Sequence, residues 1–270
     1  MKDRFMIGIK GLFVGSTMLV PGVSGGSMAM ILGVYDRLIH AVSSFRKQKK
    51  ASLLFLLIFS ISAIIGMVAF AKPILAAINR WEKPMLYFFI GIVAGGIPLM
   101  VKKAQLKTFQ FTYIIYFIIG IVVVVLLGML PGMDVTSSQN DILHICLLLV
   151  AGFISAIALV LPGISVSYML LLLGMYDTTM QAISRLYLPY LIPLGIGVIL
   201  GIISTTKLLE TLMNRYTQST YLVILGFVAG SVFEILPGFP SIQELWICAF
   251  ALLAGFCIIM MILKFDKEEC

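Results

Sequence analysis

The chain has 270 residues, 61% of them hydrophobic and 11% charged, with a formal net charge of +7. Soluble globular chains carry roughly 25% charged residues, so this composition excludes that class; the uncharged stretches 51–71, 84–101, 108–133, 186–206, 216–233 and 245–263 each approach the roughly 20 residues that cross a bilayer. The positive charge is therefore not a nucleic-acid footprint, because basic residues in such a chain face the cytoplasm and anionic headgroups.

The chain opens with Lys2, Arg4 and Lys10 ahead of an apolar run, the outline of a secretory signal. We read it instead as the first arm of a broken helical hairpin over residues 5–42, because the pattern returns deep in the chain. Proline interrupts a helix by removing a donor and clashing with the preceding turn, so the break falls at Pro21-Gly22. Ser24, Gly25, Gly26 and Ser27 follow it, and Tyr35-Asp36 closes the second arm. A basic run at 46–50 then leads into three crossings, 51–71, 84–101 and 108–131.

The second half repeats the first. Residues 20–36 align without a gap on 161–177 at an offset of 141, matching Pro, Gly, Ser, Met, Leu, Gly, Tyr and Asp. At an offset of 135, Gly66, Lys72, Asn79, Arg80 and Gly91 return as Gly201, Lys207, Asn214, Arg215 and Gly226. Residues 142–176 hold no charge and as one straight helix would be about 52 Å long, far beyond a hydrocarbon core of about 30 Å. The second hairpin, 142–183, therefore breaks at Pro162-Gly163, and crossings follow at 186–206, 218–235 and 244–263. The predicted fold is an all-α membrane protein of two repeats, 1–133 and 141–265, each a broken re-entrant hairpin plus three transmembrane helices.

Three crossings per half invert the second repeat relative to the first. With the hairpins re-entrant, 15 of the 19 Lys and Arg residues share one side, leaving only Lys72, Arg80, Lys83 and Arg185 opposite. By the positive-inside rule both termini are cytoplasmic. Inverted repeats with discontinuous helices are the architecture of many secondary transporters, whose sites lie near the midplane where the breaks meet.

A helix broken at membrane depth is tolerated only where it is buried in protein or lines a watery cavity. The backbone N–H groups after the break, with the hydroxyls of Ser24 and Ser27, suit an anion, and Gly25 and Gly26 let it approach. The second copy keeps Ser165, adds Ser167 and has neither glycine. Packing at a kink would explain a lone Pro-Gly, whereas a Ser/Gly cluster duplicated in an inverted repeat points to a ligand. Arg80 and Arg215 each follow Asn and precede an aromatic, which fits a phosphate clamp or an interfacial anchor; Lys72 and Lys207 can snorkel. Tyr35, Asp36, Tyr176, Asp177 and Glu234 are candidates for coupling or gating, and the aspartates equally suit pairing at helix ends. His144 reads as interfacial. Cys146, Cys248 and Cys257 lack metal-site or CxxC spacing, and neither metal nor cofactor is expected.

The run from Gly11 to Ala29 (GLFVGSTMLVPGVSGGSMA), followed by Gly33-Val-Tyr-Asp36, resembles the signature of a bacterial family, once a domain of unknown function, associated with polyprenyl-phosphate transport. The resemblance covers essentially the whole chain. It implies a flippase that returns undecaprenyl phosphate, the lipid carrier of cell-wall glycan synthesis, from the outer to the inner leaflet of the plasma membrane. Ser27 stands where Thr is at least as common. Undecaprenyl-diphosphate phosphatases share a Pro-Gly-x-Ser element but follow it with Arg, where Gly25 stands here, and carry paired glutamates that this chain lacks. A non-enzyme is therefore expected over that alternative. A small-anion transporter or channel would want a continuous polar path, whereas the sparse polar lining suits a ligand whose tail stays in lipid.

Overall fold

In a computed structural model the described residues are 2–18, 20, 23–45, 48–106, 110–130, 141–241 and 244–267. Among them every regular element is helical: α1 (Lys2–Thr17), α2 (Gly25–Ile31), α3 (Tyr35–Ser43), α4 (Lys49–Arg80), α5 (Glu82–Lys103), α6 (Phe111–Met129), α7 (Asp141–Val160), α8 (Val166–Leu172), α9 (Tyr176–Ser184), α10 (Leu188–Arg215), α11 (Thr217–Ile235) and α12 (Leu245–Lys267). The lengths repeat, from 16, 7, 9, 32, 22 and 19 residues to 20, 7, 9, 28, 19 and 23. Among the described residues six helices are long and apolar enough to cross a membrane. Five lie on the uncharged stretches; the sixth, Leu143–Val160, is the first part of the long 142–176 run. In α11 the apolar part spans Thr217–Phe233.

Four helix pairs build the body: α1 with α4, α7 with α10, α5 with α12, and α6 with α11. Each pair crosses at two glycines, one per helix, and each glycine faces a backbone carbonyl of its partner where a Cβ would sit. Gly15 faces Ala63 and Gly66 faces Leu12; Gly152 faces Leu194 and Gly197 faces Leu149. The other pairs match, with Gly91 on Leu252, Gly255 on Phe88, Gly120 on Val223 and Gly226 on Phe117. Without a hydrophobic drive between helices in lipid, such close backbone approach is what holds them together.

All four pairs run parallel: Gly8 meets Ser62 as Gly15 meets Ala63, and Gly201 meets Phe153 as Gly197 meets Leu149. Parallel packing of α1 on α4 requires the chain between them to return to the level where α1 began. It does so through α2 and α3, and Arg37 of α3 forms an ion pair of 2.8 Å with Asp3 at the start of α1. The same holds in the second half, where the ring of His144 near the start of α7 lies 6.3 Å from that of Tyr190 on α10.

The matched Gly-x-Tyr-Asp elements have a local cause. Gly33 and Gly174 carry positive φ of 73° and 66° as each short helix ends. Gly33 N–H and Val34 N–H donate to Met30 and Ala29 carbonyls, and Gly174 and Met175 donate to Leu171 and Leu170 in the same pattern. This is a Schellman termination, which favours glycine because its φ is left-handed. Tyr and Asp then open the next helix, with the carboxylate in its first turn, where the helix dipole favours it. At the membrane faces, Lys83 pairs with Glu244 at 3.0 Å, joining α5 to the start of α12. That hydrogen bond, with those from Ser241, holds the Glu244 carboxyl down to about 2.

Candidate functional site

The two broken segments meet. A Cβ built on Gly26 would lie 3.3 Å from Pro162 Cα and 3.5 Å from the Leu161 carbonyl oxygen, so the glycine lets the start of α2 rest against the second break. Tyr35 reinforces the junction by donating its hydroxyl hydrogen to the Val160 carbonyl at 2.7 Å, at the last residue of α7. Gly163 adopts φ +87°, and a side chain there would collide with the Phe227 carbonyl. Pro21 and Gly22, where the sequence marks the first break, lie outside the described residues.

The hydroxyls differ in what they do. Ser24 caps α2 with extended backbone but makes no side-chain cap bond. Ser165, in the same position on α8, accepts a long 3.4 Å bond from Tyr168 N–H. Ser27 is 3% exposed, and Ser155 on α7 is also buried; among the described residues neither Oγ has a hydrogen-bond partner. Buried polar atoms are nearly always satisfied, so an orphan hydroxyl next to the junction marks an incomplete environment. Gly25 is half-buried beside the flexible end of Met18, whereas Ser167 is exposed.

The arginines are elsewhere. Arg80 and Arg215 are exposed at the ends of α4 and α10, their guanidinium carbons 5.1 and 5.5 Å from the ring centres of Trp81 and Tyr216. Lys72 and Lys207 are also exposed. The aspartates divide. Lys103 Nζ donates to Asp36 at 2.5 Å and the Tyr221 hydroxyl donates to it at 2.8 Å. Asp177 is exposed and has no ion-pair or hydrogen-bond partner among the described residues, while Tyr176 packs in a small apolar cluster with Leu148 and Met175. The side chain of Glu234 lies outside the described part.

Reading the sequence did not single out the partners of Asp36. The repeat offsets carry the signal: Lys103 aligns with Gly238 and Tyr221 with Leu86, so both are polar residues present in one half only. Glu210 is a third case, aligned with Leu75. It accepts a 2.5 Å bond from the Ser43 hydroxyl and lies 2.6 Å from His40 Nδ1, fastening α3 to α10. Asp36, Lys103, Glu210 and Tyr221 together line a polar cavity of about 330 Å³ at this end of the molecule. Among the described residues no cluster of metal-ligating side chains forms.

A second cavity, of about 620 Å³ and almost entirely apolar, lies between the α7–α10 and α6–α11 pairs. Leu161 and Phe227, which flank the junction of the breaks, form part of its wall.

Comparison with known proteins adds two relatives and a family. A family model described as undecaprenyl phosphate translocase-like (VCA0040-like) matches residues 14–249. A polyprenyl-phosphate transporter of Staphylococcus aureus (strain NCTC 8325 / PS 47) is 30% identical over 273 residues, covering 97% of this chain and 96% of the relative. A polyprenyl-phosphate transporter of Vibrio cholerae serotype O1 (strain ATCC 39315 / El Tor Inaba N16961) is 27% identical over 243 residues, covering 85% of this chain and 76% of the relative. No solved structure matches the chain.

Proposed function

The chain belongs to the undecaprenyl phosphate translocase-like family, and from that premise we propose that it is a multi-pass transporter that moves a polyprenyl phosphate across the bacterial plasma membrane. Undecaprenyl phosphate is the substrate, carried from the outer to the inner leaflet so that the carrier lipid is used again in cell-wall glycan synthesis. The observation that carries this reading is the contact of Gly26 with Pro162 beside the orphan hydroxyl of Ser27. Two interrupted helices meeting inside a membrane bundle form the usual setting of a transporter site.

The architecture is an inverted repeat with re-entrant hairpins. In its favour, the four parallel helix pairs agree with one another only if each hairpin returns the chain to the side it came from. α1 and α7 then begin on opposite faces, and the 15 basic residues of the charge pattern share the face that holds both termini, the cytoplasmic one.

The phosphate sits at the junction, held by Ser24 and Ser27 and approached closely at Gly25 and Gly26, with Ser165 and Ser167 making only small contributions from the second hairpin. The α2 and α8 helices are two turns long, so hydroxyl and backbone N–H donors bind the anion in preference to a long helix dipole. Arg80 and Arg215 act at the membrane faces, where the headgroup enters or leaves. Tyr35 and Asp36 couple the first hairpin to the C-terminal half through Val160 and Tyr221; Tyr176, Asp177 and Glu234 are the corresponding gating positions on the opposite face.

Proteoliposomes test this directly. Purified protein should transfer undecaprenyl phosphate between leaflets, leave undecaprenol behind and release no inorganic phosphate. Phosphate release from undecaprenyl diphosphate would instead make it a phosphatase, and equal transfer of the alcohol would remove the headgroup site. In a cysteine-free background, cysteines at Ser137 and Arg185 should label from outside and those at Gln48 and Gln105 should not. Labelling at Gln48 would sink the re-entrant topology.

A further inference from the structure

A phosphate at the junction poses a geometric problem that the apolar cavity solves. Ser27 and Val23 are buried and α2 is enclosed, so a lipid whose phosphate sits there cannot simply leave its tail in bulk bilayer. A slot must connect the junction to the membrane. The cavity between α7–α10 and α6–α11 touches the junction, since its lining includes Leu161, whose carbonyl faces Gly26, and Phe227, whose carbonyl faces Gly163. From there it runs along Phe153 and Ile157 of α7 and Leu208 of α10 to Tyr216, the residue on which Arg215 stacks. The lining from Ser204 on α10 to Tyr216, just past its end, covers about 18 Å, close to one leaflet of the hydrocarbon core.

We infer that this groove is a binding track for the polyisoprenoid tail of the transported lipid phosphate, an inference that rests on the proposed phosphate site. The tail is then held by protein during transfer and does not remain wholly in lipid, as the sparse polar lining led us to expect. Tail recognition accordingly adds to affinity.

Leu208→Trp and Ile157→Trp narrow the groove without touching the junction, and Leu253→Trp, exposed on α12, is the lipid-facing control. Binding to purified protein is measured with undecaprenyl phosphate and with dimethylallyl phosphate, whose tail is too short to leave the junction. The two groove variants should lose about tenfold in affinity for undecaprenyl phosphate while dimethylallyl phosphate stays within about twofold, with the control unchanged for both. Unchanged binding of the long lipid in both groove variants would overturn the inference, and so would equal losses for the two probes. In Leu208→Trp, tail-brominated phosphatidylglycerol should quench the introduced tryptophan, and undecaprenyl phosphate should relieve that quenching. Quenching indifferent to the lipid phosphate would make the groove an ordinary crevice for membrane lipid and would also overturn it. The wild-type protein with undecaprenol judges the headgroup reading separately: tight binding of the alcohol sinks that reading, whereas a long-tail-selective loss in the variants still identifies the track.

Discussion

The two broken hairpins share a plan and differ in how tightly they are held. In the first, Met28, Ala29, Met30, Ile31 and Leu32 are all at most 2% exposed, so α2 is part of the main core. In the second, α8 packs in smaller clusters and leaves Leu171 57% exposed, with Ser167 also at the surface. α3 is fastened to α10 through Glu210 and to α5 and α11 through Asp36. α9 has no comparable packing on α4, and its aligned residues are Gln181, Ser184, Asp177 and, on α4, Leu75. Nearly identical sequence motifs thus sit in a closed end and a looser end. What the motifs dictate is the local break and turn; what the non-repeated residues dictate is which end is shut.

The largest effect expected belongs to the second break. Gly163 combines left-handed φ with contact against the Phe227 backbone, and neither can yield to a side chain. Gly163→Val should cost about 3 kcal/mol or more and abolish recovery of folded protein, read as loss of the monodisperse species in detergent. Normal recovery would mean that the second hairpin is loose enough to reshape its own break, which would sharpen the contrast between the two beyond what packing shows.

Next is the junction itself. Gly26→Val pushes two methyl groups toward Pro162, whereas Ser167→Val changes an exposed position on the opposite hairpin. Gly26→Val should reduce leaflet transfer by about tenfold or more with normal membrane insertion, and Ser167→Val should stay within about twofold. Equal losses in the transfer assay would mean that the hairpins contribute alike and that their different burial has no functional meaning.

The aspartates give a smaller, thermodynamic contrast. Asp36 and Lys103 are partly screened, with side-chain exposures of 39% and 22%, so their pair is worth less than a buried one and more than a surface one. Asp36→Asn should lower stability by about 1–2 kcal/mol, against a change within about 0.5 kcal/mol for Asp177→Asn. Chemical denaturation in micelles measures both. A matching loss at Asp177 would show that the second hairpin is anchored too.

Much of this was legible because the repeat is written in residues with strong backbone preferences. The Pro-Gly at 162–163 announced a break, and the structure supplies it with a positive φ just past a helix end; the turns at Gly33 and Gly174 were not read, and Tyr35-Asp36, expected to close the second arm, opens α3 instead. The meeting of Gly26 with Pro162 was not legible, since it depends on how the four glycine-crossed pairs bring the halves together. The partners of Asp36 were hidden for a related reason. Lys103 and Tyr221 lie 67 and 185 residues away, and nothing local marks them; only their absence from the other repeat does. Arg80 and Arg215 show the converse: a matched pair of charges invites a shared role in binding, yet each stacks on its own neighbouring ring.

The finest distinction lies between Ser24 and Ser165, aligned residues in the same capping position. Ser165 uses its Oγ on Tyr168 N–H, although the 3.4 Å distance makes the bond weak, so Ser165→Ala should lower stability by about 0.5 kcal/mol, the low end for a lost cap. Ser24 makes no such bond, and its replacement removes a hydroxyl that folding does not use. Ser24→Ala should therefore leave stability unchanged within about 0.5 kcal/mol while weakening undecaprenyl phosphate binding by about 1 kcal/mol, several-fold in affinity. The two variants are told apart by lipid binding, where Ser24→Ala should lose more than Ser165→Ala, and not by denaturation, where both changes are about 0.5 kcal/mol or less. Should Ser24→Ala lose stability and keep its affinity, the serine is a cap whose bond forms in another state of the transporter. The phosphate would then have to be held by Ser27, the backbone and the serines of the second hairpin.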